Sequence, residues 1–307
     1  MSPSSDSRFV SGFVSILGRP NAGKSTLLNR LIGMKLAIVT PKPQTTRTSI
    51  QGVLNRPGAQ IVFLDTPGIH KPDSLFNRRM LQTVKGALEQ RDLLLYVADA
   101  TRRTGEEDRE ALEIVRTART PVLLLLNKID RLKDKRALLA LIESYRALGE
   151  FEEFLPVSAR TGEGLDAALD AAVRRLPEGP AYFPPDYVTD QPERFLAGEL
   201  IREKILYSTR EEVPHSVAVV VDEWQETAKL TRIIATIYVE RASQKGILIG
   251  ARGAMLKQIG TAARQEMESL LSRKIFLELF VKARPKWREN PEFLNAVDWR
   301  SMTGPEV

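Results

Sequence analysis

Gly18-Arg19-Pro20-Asn21-Ala22-Gly23-Lys24-Ser25 is the stretch from which the fold is read. It has the spacing G-x-x-x-x-G-K-S and stands between a β-branched run, 13–17, and a segment with helical apolar spacing, 24–31. A strand that turns through glycines into a helix offers phosphate oxygens a ring of backbone N–H groups and the positive end of a helix dipole. Lys24 is then placed to reach the outer phosphates, and the Ser25 hydroxyl to ligate Mg²⁺. By itself the loop specifies a nucleoside triphosphate and no particular base.

Outward from the loop, short apolar runs at 13–17, 60–64, 92–98, 121–126 and 154–157 alternate with helical patterns at 24–31, 108–116 and 136–148. Near-continuous apolar strands separated by helices predict a mostly parallel sheet covered on both faces. A further strand at 48–54 should pair antiparallel with 60–64 across a turn holding Pro57 and Gly58. Ligands of such sheets bind at the carboxyl ends of the strands, and three polar motifs stand there. Asp65-Thr66-Pro67-Gly68 ends one strand; Asp65 suits a metal held through water, and the Gly68 N–H suits a γ-phosphate. Asn127-Lys128-Ile129-Asp130 ends another, and a carboxylate at Asp130 can accept from guanine N1–H and its exocyclic amine. Adenine has no donor at that edge and would leave the charge unpaired, so the base is guanine. Ser158-Ala159 follows the last strand, where a backbone N–H can meet the guanine carbonyl.

The chain has 307 residues, 43% hydrophobic and 27% charged, as expected of two ordinary globular domains. It contains no cysteine and two histidines, which excludes disulfides and thiolate chemistry and argues against a zinc site. No apolar run is long enough to span a bilayer, and the Ser-rich residues 1–8 lack the apolar core of a signal peptide, so a cytoplasmic protein is expected. Four prolines within 176–187 rule out helix or central strand there. The expected division is a nucleotide domain over 1–180, a Pro-rich linker over 181–192 and a second domain over 193–307.

The net charge is +6, and from Arg241 to Arg288 eleven Lys/Arg stand against three acids. A solvated helix face or a polyanionic partner would account for this excess. The same region carries Gly250-Ala251-Arg252-Gly253 between two helical segments, preceded by Ile249 and followed by Leu256 and Lys257. The expected order from residue 193 is helix, strand, strand, helix, helix, strand, then a short tail helix. This pattern resembles the bacterial (type II) KH fold, an α+β RNA-binding module. Its glycine turn lays backbone N–H groups and Arg252 against the nucleic-acid backbone beside an apolar groove, here Ile247, Ile249, Leu256 and Ile259. Lys282, Arg284, Lys286 and Arg288 would extend the basic track, with Trp287 either stacking a base or anchoring the tail.

The ordered set of phosphate loop, Gln44-Thr45-Thr46-Arg47, Asp65–Gly68, Asn127–Asp130 and Ser158-Ala159, with the glycine turn downstream, resembles the Era-type GTPases of the translation-factor class. The resemblance runs from about residue 13 to about 293. It implies an α/β P-loop GTPase domain followed by a KH domain. It also implies that Lys24, Thr46, Asp65 and Gly68 serve GTP hydrolysis, with Thr46 reaching Mg²⁺ and the γ-phosphate and Thr45 as the alternative. Arg19, Pro20, Ala22, Thr26, Thr66, Pro67, Ile69, Lys128 and Arg160 complete the nucleotide contacts on the same grounds. Ile69 stands where related GTPases carry a water-orienting glutamine, so slow intrinsic turnover is expected. His70, next in line, has only its position to recommend it as a base. Asn21 matches the asparagine that holds K⁺ in potassium-stimulated relatives. The implied partners are the small ribosomal subunit and the three-prime region of its ribosomal RNA, for a monomer with a weak peripheral membrane contact left open. The alternative is an RNA-binding module whose GTP/GDP site turns over little.

Overall fold

The computed structural model describes residues 8–69, 74–209 and 213–299. They form two compact units: one of 8–37, 46–69 and 80–190, the other of 38–45, 74–79, 191–209 and 213–299. The division differs from the expected one in assigning two short stretches of the nucleotide domain to the second unit.

In chain order the elements are β1 (Val10–Leu17), α1 (Lys24–Ile32), β2 (Ile50–Arg56), β3 (Ala59–Asp65), α2 (Leu75–Gly86), β4 (Leu93–Asp99), α3 (Glu106–Arg116), β5 (Val122–Asn127), α4 (Ala137–Arg146), β6 (Glu153–Pro156) and α5 (Leu165–Val173). The sheet order is β2-β3-β1-β4-β5-β6, with only β2 antiparallel, against β3. Every side chain of β4 is buried, because alternate residues enter two different cores. Leu95 and Val97 pack with α1 and α5, whereas Leu94, Tyr96 and Ala98 pack with α3 and α4. The parallel registers align the ends of β1, β3, β4 and β5: Ile16 lies opposite Asp65, and Asp99 opposite Asn127.

The Pro-rich stretch is neither helix nor named strand, but it is tied to the first unit. Val53 N–H on the β2 edge donates to Val188 O (2.8 Å), Asn55 to Pro185 O and Gln60 to Phe183 O. Proline lacks a donor and offers only carbonyls, so this segment covers an open sheet edge without inviting further pairing.

The second unit adds α6 (Glu193–Ser208), β7 (Ala218–Glu226), β8 (Thr231–Val239), α7 (Ala242–Ile249), α8 (Ala254–Leu271), β9 (Ile275–Ala283) and α9 (Pro291–Val297). β8 pairs antiparallel with β7 and parallel with β9. Ile201, Ile205, Ile237, Leu248, Ile259, Ala263 and Met267 form the core between the helices and one sheet face, joined by Ile38 from the first short stretch.

Candidate functional site

The phosphate loop leaves β1 at Gly18, whose φ is +141°. A Cβ there would lie 2.3 Å from the Val97 carbonyl oxygen, so only glycine passes so close to β4. Gly23 caps α1, and Lys24 Nζ folds back onto the carbonyls of Gly18 (3.0 Å) and Arg19 (3.1 Å). Arg19 turns its side chain inward to a buried ion pair with Asp108 (2.9 Å), which also accepts from Tyr145 and Tyr96, leaving its backbone to the loop. Gly68 lies against Pro20, and Thr66 anchors the end of β3 by donating to Ile16 O. Thr26 is half-buried in α1, Pro67 is buried, and Asn21 is exposed with a left-handed φ of 60°.

Three oxygen-bearing side chains meet above Lys24. Ser25 Oγ lies 2.6 Å from Thr46 Oγ1 and donates to Asp65 Oδ2 at 2.7 Å, while Thr46 Oγ1 is 3.4 Å from the same carboxylate oxygen. Asp65 Oδ1 is buried without a hydrogen bond. Burial raises the Asp65 carboxyl to about 6, against the pull of Lys24, and lowers the Lys24 ammonium to about 8. Two hydroxyls and a carboxylate with an unsatisfied oxygen fit a hard divalent cation such as Mg²⁺. Thr45, the alternative, directs its hydroxyl to Lys42 O (2.6 Å) and Thr40 Oγ1 (2.7 Å). Ile69 is half-buried against the core beneath α3, and His70 lies outside the described residues.

The segments expected to read the base are held to the loop by side chains. Asn127 Nδ2 donates to Ala22 O (2.8 Å), and its Oδ1 accepts from Ala159 N–H (2.9 Å). That N–H, expected at the guanine carbonyl, donates to Asn127. Ser158 Oγ donates to Asp130 Oδ1 (2.7 Å) and orients the carboxylate; Arg160 sits exposed 3.9 Å from it. Asp99, at the end of β4, bonds Lys128 and was not singled out from sequence. Its signal is faint, one acid closing an apolar strand.

In the second unit α7 ends at Ile249, and Gly250 takes φ 71°, ψ 179°. A Cβ there would stand 2.8 Å from Met255 Cβ. Arg252 is left-handed (φ 51°); it, Ala251 and Lys257 are exposed, and Gly253 opens α8. Ile249 and Leu256 are half-buried beside the turn, and Ile247 is exposed. Ile259 instead belongs wholly to the core.

The downstream basic track does not hold together as expected. Trp287 is fully buried, donates its indole N–H to Ser216 O (2.9 Å) and packs edge-on to Phe293, so it anchors the tail and stacks no base. Lys282 follows Val281, which faces the helices, so strand alternation turns Lys282 to the opposite sheet face, away from the glycine turn. Arg284 lies over the Phe293 ring and Arg288 pairs with Glu240, two contacts that brace the tail; Lys286 is exposed.

Residues 13–128 match the family model of 50S ribosome-binding GTPases, and 212–288 that of KH domains. The chain is 50% identical to GTPase Era of Geobacter metallireducens over 96% of its length and 99% of the relative's, and 51% identical to GTPase Era of Syntrophus aciditrophicus over 93% and 94%. Two solved structures align over 95% of this chain and 99% of theirs at 41% identity. One is an Aquifex aeolicus Era variant bound to GDP·AlF4⁻ (TM-score 0.91), the other Era with MgGDPNP and nucleotides 1506–1542 of 16S ribosomal RNA (TM-score 0.92). With a complete guanine-nucleotide loop set in one unit and a G-x-x-G turn in the other, the chain belongs to the Era family of KH-containing GTPases.

Proposed function

We propose that this GTPase binds the three-prime region of small-subunit ribosomal RNA through its second unit and acts in assembly of the small ribosomal subunit. The observation carrying this is the exposed, left-handed Arg252 between two positive-φ glycines at the start of α8, in a chain 41% identical to an Era that holds nucleotides 1506–1542. In this reading the nucleotide domain spans 1–180, the linker 181–192 and the RNA-binding domain 193–307. Backbone N–H groups of 18–26 and Lys24 receive the phosphates, Asp130 the guanine, and Ser25, Thr46 and, through water, Asp65 hold Mg²⁺. Bound there, the cation neutralises charge on the phosphates. Gly68 N–H orients the γ-phosphate end. Ile249, Gly250, Ala251, Arg252, Gly253, Leu256 and Lys257 receive the RNA.

Ile69 brings no polar group to an attacking water, so intrinsic hydrolysis is slow. In this reading Asn21 of the loop holds a K⁺ ion that supplies positive charge to the transition state. The protein works as a cytoplasmic monomer whose GTP and GDP forms bind RNA differently. Ile69 also favours a second reading, a GTP-dependent RNA-binding module with little turnover. Phosphate release by the full chain, with and without purified small subunits in K⁺ or Na⁺, separates them. Stimulation by subunits and K⁺ supports the first reading; unchanged, negligible release supports the second.

A further inference from the structure

Helix α6 carries three consecutive charged residues, Arg202, Glu203 and Lys204, and the first two are 2% exposed inside an otherwise apolar core. Burying charge this deeply is costly, and well-packed apolar residues would stabilise the helix at least as well. Their partners suggest a different use. Arg202 forms a two-pronged pair with Glu199, one turn earlier, and donates to the backbone carbonyl of Thr45. Glu203 Oε1 accepts from Val39 N–H (2.9 Å), and Tyr207, one turn on, donates to Val39 O (2.9 Å). One face of α6 thus pins both ends of the 38–45 stretch, whose first residue, Ile38, is buried in the core beside it.

Thr45 is joined by one peptide bond to Thr46, which stands at the metal-site oxygens. A peptide unit is planar and stiff, so fixing the Thr45 carbonyl fixes the plane from which Thr46 departs. Lys204 continues the chain of contacts. Its ammonium bonds Glu203 Oε2 (2.8 Å) and also Glu266 of α8. Glu266 lies twelve residues beyond Ala254, about 18 Å along the helix that opens at the G-x-x-G turn.

We propose that Arg202, Glu203 and Lys204 are positioning residues: Arg202 and Glu203 set the 38–45 stretch and with it Thr46, and Lys204 subjects that setting to the position of the RNA-reading helix α8. The inference rests on the proposed RNA-binding reading and names the residues that would link nucleotide to RNA.

The test uses the full chain with Mg²⁺, GDP, GDPNP and an RNA of nucleotides 1506–1542 of 16S ribosomal RNA. Arg202→Met keeps the volume and removes the bond. The ratio of GDPNP to GDP affinity should fall roughly tenfold, with GDP affinity within twofold of wild type and partial recovery in Arg202→Lys. In a Thr46→Val background the same change should cost less than twofold, because the residue it positions is gone. Lys204→Met should leave the RNA-free ratio unchanged while RNA shifts GDPNP affinity by less than twofold. An unchanged ratio in Arg202→Met, equal losses for GDP and GDPNP, or full additivity with Thr46→Val would overturn the role of Arg202. A wild-type RNA effect retained in Lys204→Met would overturn the link to α8. If the wild-type chain fails to bind the RNA, the proposed function fails with that link, while the Arg202 arm is still decided by nucleotide alone.

Discussion

Lys128 Nζ lies 2.7 Å from Asp99 Oδ2, and the same ammonium reaches the Asn21 carbonyl at 2.6 Å. The segment that follows β5, the end of β4 and the phosphate loop are therefore one hydrogen-bonded piece. Burial opposes ionisation of Asp99, yet bonds from Lys128 and Thr101 hold its carboxyl below the usual range. Asp99→Asn should weaken GDP and GTP alike by about ten- to a hundredfold, since a partly buried charge-assisted bond contributes about 1.5–3 kcal/mol. Titration with a fluorescent guanine nucleotide reads this directly. A loss for GTP alone would place Asp99 with the metal site instead.

Asp130 owes its orientation to Ser158. Asp130→Asn should exchange guanine for xanthine preference, because the amide then presents a donor where xanthine carries a carbonyl. Competition between GTP and XTP measures the exchange, and unchanged GTP affinity would move the base site elsewhere.

Thr45 and Thr46 are neighbours with different surroundings. Thr46→Val should abolish the Mg²⁺-dependent preference for GTP over GDP, whereas Thr45→Val should alter it by less than about threefold, its hydroxyl being turned to Lys42 and Thr40. The reverse ranking would make Thr45 the metal ligand.

Trp287 and Arg252 separate stability from recognition. Trp287→Ala removes a buried indole packed on Phe293, and should cost about 3–5 kcal/mol, read as a fall in thermal midpoint. Arg252→Glu, on an exposed turn, should leave the midpoint unchanged. Its RNA affinity should fall by at least about tenfold at low salt, with a shallower salt dependence.

Much of this protein was legible in the chain alone. G-x-x-x-x-G-K-S, D-T-P-G and N-K-I-D each carry local chemistry, and runs such as 93–98 are apolar throughout because a parallel strand is buried on both faces. The succession of strands along the chain, the strand-loop-helix setting of residues 18–25 and the G-x-x-G turn between two helices followed from such local signals. Only the family resemblance ranked Thr46 above Thr45; residue type alone could not, because adjacent residues of one type differ only in which way their side chains point. Nor could it separate the basic residues of 282–288: strand alternation turned Lys282 away, and Trp287 became an anchor through Ser216, 71 residues distant. Arg202, Glu203 and Lys204 are three adjacent charges with no local mark of burial, and only packing revealed two of them as buried. Motif chemistry is written in neighbours along the chain, whereas the direction and burial of a charge are set by residues far from it in sequence.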